Sequence, residues 1–424
     1  MNGIFFAIVL IAFVGAAIRQ IFAPAAEPSP MEALGKAMID AAGASVTLAI
    51  GLVGVMALFL GLMKVAEQGG LLVIIARTVR PLMVRLFPEV PADHPAMGAM
   101  ILNISANVLG LGNAATPFGI RAMQELDSLN RHKGTATNAM VLFLAINTSS
   151  VTLLPTGVIA LRAAAGSADP AGIVPTTLFA TMISTTVAIV VAKLLEKRWA
   201  VPQGEGTEAE AKADGEALPV EASQAYPAWV SVAALGSIVL LIPLTIFYGK
   251  EIAPWIVPGL MVGLLAFGVY KRVRVYEAFV EGAKDGFQVA LKIIPYLVAI
   301  LVAVAMFRAS GAMDAVVSPI AAVTTHFGLP AEAVPMALLR PLSGSGAYGI
   351  LAATIQDPAI GPDSYTGYLV STIQGSTETT FYVLAVYFGA VQIRRMRHAL
   401  AAGLSADFAG IAAAVVACLY LYGS

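Results

Sequence analysis

Residues 103–119, NISANVLGLGNAATPFG, and residues 340–349, RPLSGSGAYG, decide how this chain is read. Each lies in a longer apolar stretch, 95–119 and 335–356, that is heavily interrupted by Gly, Ser, Asn and Pro. In lipid every backbone N–H and C=O needs a partner, so irregular backbone is tolerated only where protein buries it or where it lines a wet cavity. Two such stretches in an apolar chain point to an interior polar site.

The surrounding sequence supplies the apolar context. With 58% hydrophobic and 12% charged residues in 424 positions, the chain has more apolar side chain than a soluble domain can bury, so lipid must act as solvent. A net charge of −1 gives no basic footprint for nucleic acid. The single cysteine, Cys418, excludes a disulfide framework. His94, His132, His326 and His398 lack metal-ligand spacing, so neither a metal site nor a cofactor is expected.

A spanning helix needs roughly 20 mostly apolar residues. Runs of that kind lie near 3–22, 43–63, 138–162, 172–193, 227–248, 253–270, 287–307, 366–391 and 404–422. The first has no positive region before it and no good cleavage site at Ala23-Pro24-Ala25, so it is read as a membrane helix and not as a leader. The acidic stretch QGEGTEAEAKADGEALPVEASQ has no periodicity and reads as a solvated linker. Four parts follow: an N-terminal helix in 1–30, a first repeat in 31–200, a cytoplasmic linker in 201–225, and a second repeat with two preceding helices in 226–424.

Cytoplasmic loops carry an excess of Lys and Arg, which sets orientation. Basic residues cluster around 64–85, 121–133, 193–198, 271–274 and 394–397, and all five clusters are assigned to the inside. The clusters on both sides of 95–119 can share one face only if that stretch enters from the cytoplasm and returns. Around 308–363, Asp314, Glu332, Asp357 and Asp363 outnumber Arg308 and Arg340, so 335–356 is expected to dip in from outside. The expected fold is thus an all-α integral membrane protein with about nine transmembrane helices and two re-entrant hairpins. Its N-terminus is cytoplasmic and its C-terminus outside, in a bacterial inner membrane.

The two halves repeat one order of features. The first has a helix (43–63), a Gly69-Gly70 turn, an amphipathic stretch, the joint FPEVPADHP, the hairpin from Asn103, and a helix broken at NTSSVT. The second has a helix (287–307), a Ser310-Gly311 turn, an amphipathic stretch, the joint GLPAEAVP, the hairpin from Arg340, and a helix broken at GSTETT. The charge pattern starts one copy outside and the other inside, which makes them inverted repeats, the usual construction of secondary transporters. The basic amphipathic stretch 76–87 is read as a strut on the cytoplasmic surface.

Four polar segments are expected to converge on one midplane site. The substrate-binding candidates of the first half are Asn103, Ser105, Asn107 and Asn113 in the hairpin and Asn147, Thr148 and Ser149 in the helix break. Those of the second half are Arg340, Ser343 and Ser345, then Gln374, Ser376, Thr377, Glu378 and Thr379. Half-helix N-termini suit carboxylate or phosphate, and unwound carbonyls suit a cation. Ser and Thr in such helices also bond the preceding turn with no functional role. Glu378 is singled out because a mid-depth ionisable group costs roughly 2.5–3.5 kcal/mol on insertion scales. It is the ion-coupling candidate, with a structural pair to Arg340 or Lys292 as the alternative. Arg340 is placed to grip an anion or to snorkel outward.

The stretches ILNISANVLGLGNAATPFGIRAMQELDSLN, RPLSGSGAYGI and STIQGSTETTFYVLAVYFGAVQIRR carry a family resemblance. They resemble the Gate, or nucleoside-recognition, family found in concentrative nucleoside transporters and in the membrane part of ferrous-iron transporters. The first is more closely similar to spore maturation protein A and the other two to spore maturation protein B, as if the two were fused through the linker. The resemblance implies a transport-like membrane fold and leaves the solute open. No G-x-x-x-x-G-K-[ST] pattern accompanies it, so the GTPase part of the iron transporters is not expected.

The sequence therefore reads as a secondary transporter of a small polar metabolite such as a nucleoside, an amino acid or another zwitterion. Its expected partners are the lipid bilayer, that solute, a coupling cation (proton or sodium) and a second copy in a homo-oligomer. The alternative is a non-transporting scaffold of a cell-envelope or spore-maturation complex. Catalysis is not expected, since no mid-membrane His accompanies a Ser and no paired aspartates occur.

Overall fold

A computed structural model describes residues 2–22, 28–110, 112–199 and 226–423. The linker expected at 201–225 lies outside the described residues, as do the side chains of Asn113 and Lys292. No β-strand occurs among the described residues.

The first half comprises α1 (Asn2–Phe22), α2 (Pro30–Gln68), α3 (Leu71–Leu86), α4 (Pro95–Val108), α5 (Gly112–Ser128), α6 (Asn138–Thr148), α7 (Thr156–Ala164) and α8 (Ile173–Glu196). The second comprises α9 (Ala228–Tyr270), α10 (Val275–Ala309), α11 (Ala312–Thr324), α12 (Val334–Leu339), α13 (Gly344–Gln356), α14 (Tyr365–Ser376), α15 (Thr380–Ala390) and α16 (Ala399–Tyr422). From α2 to α8 and from α10 to α16 the order is the same: long helix, amphipathic helix, helical hairpin, broken helix, closing helix.

Helices α1, α2, α8 and α16 are long and apolar enough to cross a membrane. The arms of the broken helices, α6 with α7 and α14 with α15, have only 9 to 12 residues each, so each pair is needed for one crossing. The chain is a multi-pass membrane protein.

Local chemistry sets the corners. Ser29 and Glu32 form a capping box at the start of α2, each bonding the other's backbone N–H, and Pro30 takes the first helical position. The exits from α2 and α10 use Gly70 (φ +79°) and Gly311 (φ +75°), in a left-handed conformation that a Cβ would disfavour. Both long helices extend well past the apolar runs at 43–63 and 287–307. At 39 residues α2 is ~58 Å long, almost twice the hydrocarbon thickness.

The runs 227–248 and 253–270, read from the sequence as two spans, form two helical arms, here labelled together as α9, that meet at a kink at Tyr248 (φ −122°, ψ 18°). Its start lies beside α3, where Tyr226 N–H donates to the Arg77 carbonyl. Its end packs on α2, where Phe267 and Gly268 meet Gly69 and Val65. A straight 43-residue helix of ~64 Å has no way to touch that one corner with both ends. The kink folds α9 back on itself, and both arms return to one side.

Inversion of the copies is visible in how equivalent helices pair. Along α2 and α10, Ser45 meets Leu297, Ala57 meets Gly286 and Leu60 meets Gly282, so one rises as the other falls. Along α8 and α16, Gly172 meets Tyr422 and Ser184 meets both Ala406 and Gly410. A helix lying antiparallel against its own counterpart places the pseudo-two-fold axis across the helices, in the membrane plane. Small residues permit these approaches.

The broken helices are fastened at both ends. At one end the fully buried Arg162 of α7 donates to the Pro362 carbonyl (2.6 Å), Asp363 (3.0 Å) and Ser371 (3.3 Å), and lies 4.2 Å over the Tyr368 ring. At the other end Arg397, beyond α15, donates to Asn138 (2.7 Å) and the Ala136 carbonyl (3.1 Å), tying the chain after α15 to the start of α6. Beside it, burial and the positive charge of Arg397 hold His398 below the ordinary histidine range, so it stays neutral at physiological pH.

Two measurements check this arrangement. Single cysteines at the exposed positions Glu89 and Glu332 should label from opposite faces of sealed vesicles, Glu89→Cys from the cytoplasm and Glu332→Cys from outside. Labelling of both from one face overturns the inverted repeat. Arg162→Met should destabilise the protein by about 3 kcal/mol, because a paired charge and several buried acceptors lose their donor. Thermal unfolding in detergent reads this, and an unchanged midpoint would refute the clasp.

Candidate functional site

The α6–α7 helix breaks over Ser149–Pro155. Ser149 and Ser150 return their hydroxyls to the Ala145 (2.8 Å) and Ile146 (3.1 Å) carbonyls, satisfying the helix locally as it stops. Pro155 supplies no N–H and disfavours helical geometry at Leu154. The second break is shorter: Thr377 is extended (φ −145°, ψ 167°) and α15 restarts at Thr380.

Backbone groups released at the breaks find matching partners. Leu153 N–H donates to the Val108 carbonyl at the tip of the α4–α5 hairpin (3.0 Å), and Phe381 N–H donates to the Pro341 carbonyl at the tip of the α12–α13 hairpin (3.2 Å). Glu378 N–H donates to the Thr148 carbonyl (2.8 Å), joining one break to the other. Gly110 (φ +76°) lies so close to the Leu154 carbonyl that a Cβ there would overlap it.

Side chains reinforce the junction. Asn103 Nδ2 donates to the Ala115 carbonyl (2.8 Å) and to Tyr387 Oη (3.2 Å). Tyr387 Oη donates in turn to Asn147 Oδ1 (3.3 Å), which also accepts from Asn107 Nδ2 (3.0 Å). Gly119 leaves room for the Tyr387 hydroxyl. On the other side Tyr348 Oη donates to the Gly157 carbonyl of α7 (2.8 Å). Each hairpin thus touches the broken helix of its own copy and of the other.

Arg340, 3% exposed, spans the second break. It donates to Thr379 Oγ1 (3.0 Å) and the Thr377 carbonyl, and lies 3.8 Å from Glu378. It does not snorkel. Asn107, Thr152, Arg340, Gln374, Glu378 and Thr379 line one cavity of about 250 Å³ between the hairpin tips and the breaks.

Other candidates stand apart from the cavity wall. Asn147 supports Asn107, and Asn103 sits deeper, against Tyr387. Ser105, Thr148, Ser149 and Ser376 bond back to carbonyls of their own helices. Ser343 caps α13 by accepting from Gly346 N–H (3.0 Å), and Ser345 is exposed on the first turn of that helix. Thr377 is buried at the break with its hydroxyl turned away from the cavity residues.

The burial of the two acids differs from the sequence expectation. Glu378 is half-exposed, with 54% of its side chain accessible, whereas Asp407 of α16 is only 2% exposed and accepts from Thr380 Oγ1 (2.7 Å). Sequence reading absorbed Asp407 into the apolar run 404–422. The signal lay in the register: Gly403, Asp407, Gly410 and Ala414 share a helix face, and small residues mark such a face as buried. Tyr387 was missed because an aromatic in a membrane helix carries no polar pattern of its own.

The Gate family, described as nucleoside recognition, matches residues 49–165 and 290–394. The chain belongs to the Gate family. Both matched stretches of this Gate protein contain a hairpin and a broken helix. Spore maturation protein B of Bacillus subtilis (strain 168) is 47% identical over 178 residues, covering 41% of this chain and 99% of its own length. Spore maturation protein A of the same strain is 47% identical over 161 residues, covering 38% of this chain and 82% of its own. Among solved structures, a variant of CNTnw in an outward-facing state has a TM-score of 0.47 at 13% identity, over 98% of this chain and 91% of that one. CNTnw in an inward-facing substrate-bound state has a TM-score of 0.46 at 14% identity, over 97% and 91%.

Tyr387→Phe removes a bond to each of Asn103 and Asn147 and leaves buried amides short of partners. It should lower stability by about 1–3 kcal/mol, read as a fall in the thermal midpoint in detergent. A variant as stable as the parent would show that this relay does not hold the hairpin.

Proposed function

We propose that this Gate protein is a secondary transporter that carries a small polar metabolite through the cavity between its inverted repeats. One observation carries the reading: an open cavity of about 250 Å³, with polar side chains on its wall, lies between two helix breaks and two hairpin tips, and both copies contribute to that wall. Polar, irregular backbone at membrane depth is costly to keep, and alternating access around a fixed midplane site gives it a use. The volume suits a solute at the small end of ligand pockets, which begin at about 300 Å³.

Arg340 and Glu378 stand on the wall as adjacent opposite charges, which suits a zwitterion such as an amino acid. A nucleoside fits the alternative of an uncharged polar solute held by Asn107, Gln374 and Thr379. The basic clusters support a bacterial inner-membrane protein with its N-terminus in the cytoplasm and its C-terminus outside. The halves 31–200 and 226–424 then act as the two moving repeats, joined by a cytoplasmic linker at 201–225. The reading includes no catalytic step. A scaffold role in a spore-maturation complex is the second reading, favoured by what the two Bacillus relatives are named for.

Counterflow of radiolabelled amino acids and nucleosides in proteoliposomes separates the two readings. The transporter should exchange at least one of these solutes. Glu378→Gln and Asn147→Ala should each cut that exchange by roughly ten- to a hundredfold, the effect of losing one charged or buried hydrogen bond. No flux and no binding across the panel, with a partner protein co-purifying, would establish the scaffold.

A further inference from the structure

Charges at the level of the breaks do not balance. The described ionisable side chains that face one another there are Arg340, Glu378 and Asp407: one guanidinium between two carboxylates. If both acids were ionised, the buried Asp407 would carry a charge faced by an Arg340 that already lies against Glu378, at a cost of several kcal/mol. Something must supply the missing positive charge.

The two carboxylates differ in what can reach them. Glu378 opens on the cavity, where a solute can pair with it. Asp407 is sealed behind the first turn of α15. One of its oxygens accepts from Thr380, and the other is buried. The buried Thr377 hydroxyl faces the same carboxylate. Among the described residues no cluster of His, Cys, Asp and Glu stands here to ligate a metal ion. A proton needs no such cluster.

Neighbouring elements offer no other compensation. Helices α6, α14 and α15 contain no Asp, Glu, Lys, Arg or His. Helix α8 has Lys193 and Glu196, both in its last turn, and His398, immediately before α16, stands nine residues, ~13 Å, from Asp407. Among the described side chains, the charge that faces Asp407 is Arg340.

We propose that Asp407 is a proton site coupled to the cavity through Arg340. With Arg340 paired to Glu378, Asp407 holds a proton and the region is neutral. When a solute of net charge +1 pairs its cationic group with Glu378, Arg340 compensates Asp407, which releases its proton to solvent. The solute's charge replaces the proton's, and the net charge stays at zero. The coupling rests on the transporter reading; the proton site itself does not.

Infrared difference spectra of the purified full chain in nanodiscs, titrated with pH, test the proposal. The parent should show the carbonyl stretch of a protonated carboxyl at mildly acidic pH and lose it on alkalinisation. Asp407→Asn should abolish that band. Glu378→Gln should keep it but lower its midpoint by about one pH unit, a tenfold loss of proton affinity, because Arg340 is freed. Thr380→Val should raise the midpoint, since the hydroxyl favours the ionised form. If Asp407→Asn does not fold, these opposite shifts carry the test. A band that survives Asp407→Asn, no band at mildly acidic pH, or a midpoint unmoved by Glu378→Gln would each overturn the site. Absent solute flux with the band behaving as stated would remove the transporter reading and leave the proton site standing.

Discussion

The architecture depends on one constraint: a backbone N–H or C=O released from a helix inside a membrane must be bonded again at once. Two helices are interrupted at mid-depth, and each interruption strands such groups. The hairpins answer that demand. Val108 and Pro341 offer tip carbonyls to Leu153 and Phe381, and the breaks satisfy each other through Glu378 and Thr148. The short, irregular hairpins follow from this need, because only a chain reversal can bring a free carbonyl to the middle of a bilayer without crossing it.

Much of this was legible in the sequence, for a physical reason. Gly, Ser, Asn and Pro inside an apolar run contradict the membrane environment so strongly that NISANVLGLGN, RPLSGSGAYG, NTSSVT and GSTETT mark themselves, and their order exposes the repeat. The basic clusters predict which way each hairpin enters. The two arms of α9 were legible as two apolar runs, but the kink at Tyr248 that joins them was not, since runs around Lys250 and Glu251 look the same whether a loop or a kink joins them. Which polar residues face the cavity was also hidden. Ser105, Thr148, Ser149 and Ser376 match Asn107 and Gln374 in depth and type, yet spend their hydroxyls on their own helices.

Asp407 was concealed by averaging. One acid among Ala and Gly hardly changes the apolarity of a 24-residue helix, and its significance comes from a neighbour 27 residues away, Thr380. The repeat sharpens the point. Counted from their helix starts, the ninth residue is Thr181 in α8 and Asp407 in α16, so the same scaffold carries a hydroxyl in one copy and a carboxyl in the other. The copies share their construction and differ in their charge.

The clasps at Arg162 and Arg397 have a mechanical meaning. A broken helix pinned at both ends to the other repeat behaves as a beam clamped at both supports. The hairpins are tied to these beams by one main-chain bond at the tip and by side-chain bonds that reach both copies. The hairpins belong to inverted copies, so the two breaks are braced from opposite sides, as a keystone is held by the stones on either side of it.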